Sequence, residues 1–224
     1  MKYFESFPGT LYTFDKNTIN QQVVTDILAR STFLREIANN TSVAYEYNVK
    51  ETDTAEIIAH KVYGDAYRSW IVLLFNQIIN PYYDFPLTSV ALDSYIENKY
   101  SQTINQALTT IHHYEKEVTK EAMYNGLLID KTTETFIIGE FEVDYSDNSI
   151  TPATLPGTAD TSLVVSTETI AYPNYSLKIT TVNRAVSNYT YEVNENEKKR
   201  QIKLLDEKFV QRVEDEFRSL MSNG

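Results

Sequence analysis

Between Val62 and Phe85 the chain reads VYGDAYRSWIVLLFNQIINPYYDF, with its only tryptophan at the head of an apolar run and Asn-Pro-Tyr-Tyr near the end. Asp65 can start a helix there, and Trp70, Ile71, Leu73, Leu74 and Phe75 then go nearly all the way round it. A helix apolar on most sides has to be enclosed by other elements or by partners. The run stops at Asn76 and Gln77, far short of the ~18 apolar residues of a membrane span. Pro81 and Pro86 then bracket a short stiff turn that carries Tyr82 and Tyr83. Those tyrosines either cap their own module or anchor a neighbouring subunit, since Tyr joins a large apolar face to a polar tip.

The surroundings of this helix set a fold class. Val43, Tyr45, Tyr47 and Val49 alternate with Ala44, Glu46, Asn48 and Lys50, the period of a half-buried strand. Thr52 or Asp53 offers a helix N-cap, and Ala55, Ile58, Ala59 and Val62 form one face of a helix that Gly64 ends. Ala91, Leu92, Tyr95, Ile96 and Tyr100 predict a further amphipathic helix, and Val23 to Ile37 reads as one helix or two short ones. From about Ile104 the pattern turns strand-like, with a hairpin expected about Lys120-Glu121. A Thr/Ser/Asn-rich stretch with short apolar patches follows, the texture of a small all-β insertion. The chain closes on a helix capped by Asp206, with Phe209, Val210, Val213, Phe217, Leu220 and Met221 on one face. That stripe packs on its own module or joins a bundle with other subunits.

The expected class is α+β, in five segments: an aromatic arm over 1–22, an α+β core with flanking helices over 23–103, a β-hairpin over 104–130, a β-rich insertion over 131–188 and a C-terminal helical segment over 189–224. The arm, with Tyr3, Phe4 and Phe7 around Pro8-Gly9, has too little local structure to fold alone, and such arms commonly order on a partner.

Charge and residue types narrow the function classes. A net charge of -11 repels phosphate backbones and anionic membrane surfaces, which disfavours nucleic-acid and membrane partners. Without cysteine there is no thiol nucleophile or thiolate metal site. His112 and His113 are neighbours on an expected strand and should point to opposite faces. His60 lies four residues after Glu56 and reads as a surface pair, with no third ligand spaced to help. Charge mixtures such as Glu115-Lys116-Glu117 and the run Glu195 to Arg200 read as solvated faces. No nucleophile elbow, zinc helix or phosphate loop occurs, so no catalytic residue, metal ligand or cofactor is expected and the weight falls on binding or scaffolding. Seventeen tyrosines and ten phenylalanines point the same way, towards surfaces that meet.

The segment Tyr45 to Thr88 resembles the lysin-motif (LysM) module through Tyr47, Val49, Lys50, Asp53-Thr54, Ile58-Ala59, Asn76 and Asn80-Pro81. Thr52 stands where that module has a glycine, which disfavours glycan binding. A longer likeness rests on Val62-Tyr63-Gly64-Asp65, on Trp70 to Asn76 and on Asn80-Pro81-Tyr82-Tyr83-Asp84-Phe85. It continues in Tyr95 to Tyr100, in Asn196 to Lys203 and in the aromatic opening Tyr3-Phe4 to Phe7-Pro8. Together these resemble the baseplate wedge protein 53 family of T4-like contractile-tailed bacteriophages, whose members carry a LysM-like module. The resemblance implies a non-enzymatic structural subunit of the virion's tail baseplate, assembled in the host cytoplasm, that joins adjacent wedges around the hub. Other wedge subunits are the implied partners, with the hub as a further candidate. Contact residues would be drawn from Tyr3, Phe4, Phe7, Tyr82, Tyr83, Phe85, Phe209, Phe217 and Met221. The competing class is a peptidoglycan-binding LysM-type module at the host cell wall.

Overall fold

Short elements and the turns that cap them open the chain, as seen in a computed structural model that describes residues 2–13, 21–27, 42–144, 146 and 148–222. A 3-10 turn over Tyr3–Ser6 leads into strands β1 (Gly9–Thr13) and β2 (Gln21–Thr25), paired antiparallel with Leu11 opposite Val23. Val23 and Val24 thus lie on a strand where their spacing predicts a helix, because pairing with β1 overrides the local pattern. The remainder of that expected helix, 28–37, lies outside the described residues.

Strand β3 (Ala44–Asn48) is followed by helix α1 (Ala55–Tyr63). The N-cap of α1 is Thr54, whose side chain accepts from the Ile57 amide, rather than Thr52 or Asp53. Asp53 turns inward instead and accepts from the Tyr47 hydroxyl at 2.7 Å, the Lys50 amide at 3.2 Å and the Lys61 ammonium at 2.5 Å. Gly64 ends the helix at φ 70°, a left-handed position that a side chain would strain. Asp65 caps a 3-10 turn over Ala66–Arg68, and helix α2 (Ser69–Phe75) continues from it. A single helical turn, α3 (Pro81–Asp84), then carries the Asn-Pro signal.

The chain forms two units, residues 1–88 with 196–224 and residues 89–195. The second begins with α4 (Ser89–Tyr100), which buries Leu92 and Ile96, and α5 (Ile104–Thr109). Strands were expected from Ile104, but Thr103 and Gln106 form a reciprocal capping box that starts a helix. Long antiparallel strands follow: β4 (Ile111–Tyr124), β5 (Leu127–Ile138), β8 (Ser162–Ala171) and β9 (Tyr175–Ser187), in the order β5-β4-β9-β8. A small hairpin of β6 (Phe141–Asp144) and β7 (Ser149–Pro152) intervenes.

The β4–β5 hairpin turns at Asn125-Gly126, both at positive φ, and β4 runs straight through the expected turn at Lys120-Glu121. Asn-Gly provides the two left-handed residues that a tight hairpin needs. Lys120 and Glu121 instead pair across the strands with Glu134 and Lys131. Arg184 reaches Glu117, and Lys116 reaches Glu142. Both pairings of the edge strands carry a register shift, at Ala122/Met123 and at Val164/Ser166, the kind of irregularity that blunts an open edge.

Asp160 secures the start of the next helix from a distant loop. Its carboxylate accepts from the Ser187 amide and the Thr190 hydroxyl, both at 2.9 Å, where α6 (Asn188–Lys198) starts. From α6 the buried Glu192 accepts from Lys99 at 2.5 Å and Tyr100 at 2.8 Å. Burial would lower the Lys99 ammonium, but Glu192 holds it well above its ordinary value. Burial and then the Glu192 hydrogen bond push the Tyr100 phenol up to about 12. The histidine pair departs from expectation. A bulge between Ile111 and His113 breaks the alternation, and the two Nδ1 atoms lie 2.8 Å apart in a hydrogen bond. Burial, then the neighbouring His113, lowers the His112 imidazole's pKa.

The chain then completes the first unit. Strand β10 (Gln201–Leu205) pairs antiparallel with β3, placing Ile202 opposite Tyr47 and Leu204 opposite Tyr45. Helix α7 (Glu207–Ser222) is capped by Asp206, which accepts from the Lys208 amide at 3.1 Å. The core joins Ile58 and Ala59 of α1, Ile71, Val72 and Phe75 of α2, Leu204 and Leu205 of β10, and Val210 and Phe217 of α7. Each of the larger buried side chains contributes about 1.5–3 kcal/mol. Helices α1 and α2 thus stand between two strands that pair with each other, a βααβ arrangement whose second strand comes from the far end of the chain.

Candidate contact surface

The Asn-Pro turn is fixed by its own side chains. Asn80 Oδ1 accepts from the Tyr82 amide at 3.1 Å, and Pro81 fills the first helical position, where no amide is needed. Asp84 folds back to accept from the amides of Ile79 at 3.3 Å and Asn80 at 2.9 Å. Lys199 donates to the Tyr83 carbonyl at 2.5 Å, and Phe85 anchors the turn in the core. The outward side chains are therefore held by a backbone with few remaining freedoms: Ile79 is 89% exposed, Tyr82 82% and Tyr83 59%. Three large apolar or aromatic groups on one pinned turn form a surface of the kind that meets another protein.

Two asparagines tie this region together. Asn76 Nδ2 donates to the carbonyls of Val72 and Lys203, and its Oδ1 accepts from the Lys203 amide, each at 2.8 Å, joining α2 to β10. Asn196 is buried and treats Leu87 the same way, donating to its carbonyl at 3.0 Å and accepting from its amide at 2.7 Å. The run Glu195 to Arg200, expected to be a solvated face, thus includes an inward-turned residue. Arg200 also donates to the Val49 carbonyl.

The other expected contact residues divide by burial. Phe4 is 57% exposed. Tyr3 and Phe7 are half-buried, with the Tyr3 ring stacked on Phe217 at 5.2 Å and tilted against Trp70 at 5.5 Å. Phe209 is half-buried, while Phe85, Phe217 and Met221 are enclosed in the unit's own core. Most of the apolar stripe of α7 therefore faces its own module, Leu220 at 67% exposed being the exception, and Phe85, Phe217 and Met221 serve packing rather than surface. Ile79 lies on this exposed turn without being among the contact residues expected from the sequence. Its signal was its place beyond the end of α2, where an isoleucine no longer has a helix face to join.

Burial pushes the Asp53 carboxyl up, but the hydrogen bonds from Lys61 and Tyr47 outweigh it and hold the group below the ordinary carboxylate value. Burial, followed by the bond to Asp53, raises the Tyr47 phenol to about 12. This cluster braces β3 against α1. Among the described residues, no three His, Cys, Asp or Glu side chains are grouped to hold a metal ion.

The first unit is thus an α+β module whose Asn-Pro turn carries exposed aromatic side chains. The base plate wedge protein 53 family model matches residues 4–133, more than half of the sequence, and the chain belongs to that family of bacteriophage proteins. It is accordingly a structural protein of the virion, located in the tail baseplate. The matched stretch takes in the N-terminal turn, β3, α1, α2 and the Asn-Pro turn and ends within β5. Comparison with curated proteins returns no match.

Proposed function

We propose that this subunit joins adjacent baseplate wedges around the hub, and that the Ile79–Tyr82–Tyr83 surface, with Phe4 as a further exposed ring, is where it grips a neighbouring wedge protein. The observation that carries this is the combination of exposure and rigidity in the Asn80–Asp84 turn. Ordering a flexible loop would cost the interface free energy that a pinned turn does not. Supporting it is the position of the turn within the family match.

The test is the double substitution Tyr82→Ala with Tyr83→Ala. Both rings are outside the core, so the subunit should fold as before, with unchanged Trp70 fluorescence. Removing two aromatic anchors at about 1–2 kcal/mol each should weaken co-purification with wedge partners at least about tenfold. Undiminished binding by a folded double variant refutes the surface. Electron micrographs of phage lacking the gene test the wider role: unjoined wedges support it and normal tails refute it.

A further inference from the structure

A cleft of about 630 Å³ opens among the N-terminal turn, Thr25 at the end of β2, Glu56 in the first turn of α1, and the segment from Ala66 to Trp70. All of these belong to one unit, and only Phe4 is shared with the contact residues proposed above; Ile79, Tyr82 and Tyr83 do not line the cleft. The rings of Tyr3, Phe4, Tyr67 and Trp70 line it, together with the carboxylates of Glu5 and Glu56. Aromatic faces attract a cation through the ring quadrupole, and carboxylates beside them provide its counter-charge. A planar guanidinium can use both at once, stacking on a ring while its edge donates to a carboxylate.

The chain itself places a cation in this position. The Lys2 ammonium lies 5.4 Å from the centroid of the Tyr67 ring and 3.7 Å from Glu5. Lys2 and Glu5 are both more than half exposed, and a pair of that kind is worth about 0–1 kcal/mol, so Lys2 is readily displaced. A second observation comes from the floor of the cleft. Trp70 is only 6% exposed, and its buried indole N–H has no acceptor among the described residues. The net charge of -11 favours approach by a basic segment.

We infer that this cleft receives an arginine side chain from an extended segment of a partner protein, with the guanidinium on Tyr67 between Glu5 and Glu56 and Lys2 displaced. Because the chain has one tryptophan, Trp70 emission in the intact 224-residue chain reads the cleft directly. The probe is the blocked peptide acetyl-Gly-Arg-Gly-amide, with the same peptide carrying neutral citrulline as its control. The arginine peptide should shift the emission saturably and bind about tenfold more tightly than the citrulline peptide. Lys2→Ala should tighten binding by removing the internal competitor, whereas Tyr67→Ala and Glu56→Gln should weaken it. Tyr67 and Glu56 are exposed, so their replacement leaves the fold in place. Equal binding of the two peptides, or no saturable response in either the native protein or the Lys2→Ala variant, overturns the inference. Neither result bears on the Tyr82–Tyr83 surface, which is tested separately by partner co-purification.

Discussion

Asn76 should be among the most expensive surface-to-core connections in the first unit to remove. Its amide makes three hydrogen bonds at 2.8 Å, two of them to the backbone of Lys203, across a sequence separation of 127 residues. Each intramolecular hydrogen bond contributes about 1 kcal/mol net, and a buried group left without a partner costs about 1–3 kcal/mol. Asn76→Ala strands the Lys203 N–H and C=O, but Lys203 is only half-buried and water can reach part of the gap. The expected loss is therefore about 2–4 kcal/mol, a large share of the roughly 5–15 kcal/mol that holds a typical domain folded. Asn76→Asp gives a sharper test. It keeps the acceptor for the Lys203 amide but turns an anionic oxygen towards the carbonyls of Val72 and Lys203, where Nδ2 donates now. Relative to the native protein at the same pH, this variant should recover stability as the new carboxyl is protonated and can donate again. Urea titration followed by Trp70 emission reports the unit that contains Asn76, because Trp70 is the only tryptophan and lies in the same core. A loss below about 0.5 kcal/mol for Asn76→Ala, the range of an ordinary surface substitution, would refute the reasoning, as would an Asn76→Asp variant indifferent to pH.

Two further substitutions probe the frame around that connection. Gly64→Ala meets no neighbouring atom within 4 Å, so its cost should be the strain of a side chain at φ 70° alone, about 1 kcal/mol, read from the same urea titration; a neutral result would show the turn relaxing out of the left-handed region. Asp53 has a depressed pKa in the folded chain, so its stabilisation is present above the ordinary carboxylate value and is lost as pH falls through the depressed folded value. Asp53→Asn should therefore cost about 1–3 kcal/mol at neutral pH, with the gap to the native protein closing in acid; a gap that stays constant with pH would assign the loss to packing rather than charge.

What could be read from the sequence was local, and what could not was set by partners far along the chain. The apolar helix at Trp70, the Gly64 stop, the Asp206 cap and the Asn80-Pro81 turn each carry their own physical signal within a few residues, and each is found in place. The Asn125-Gly126 turn also carried its signal. The charged pair Lys120-Glu121 breaks an apolar pattern but supplies no left-handed residue, and so does not make the turn. Strand β10 shows the other limit. Ile202, Leu204 and Leu205 follow a charge run and lack strict alternation, and they form a strand because β3 lies open to them some 155 residues upstream. The same holds for the contact surface. Phe85, Phe217, Tyr82 and Tyr83 look alike as aromatic residues in a sequence, and composition cannot sort them. Packing does so, because α7 returns to close the module over Phe217 while Asn80 and Asp84 hold the turn so that Phe85 points in and the two tyrosines point out. Exposure is thus decided by which neighbour reaches a side chain within its own chain: the core encloses Phe217, whereas Tyr82 stays 82% exposed on the pinned turn.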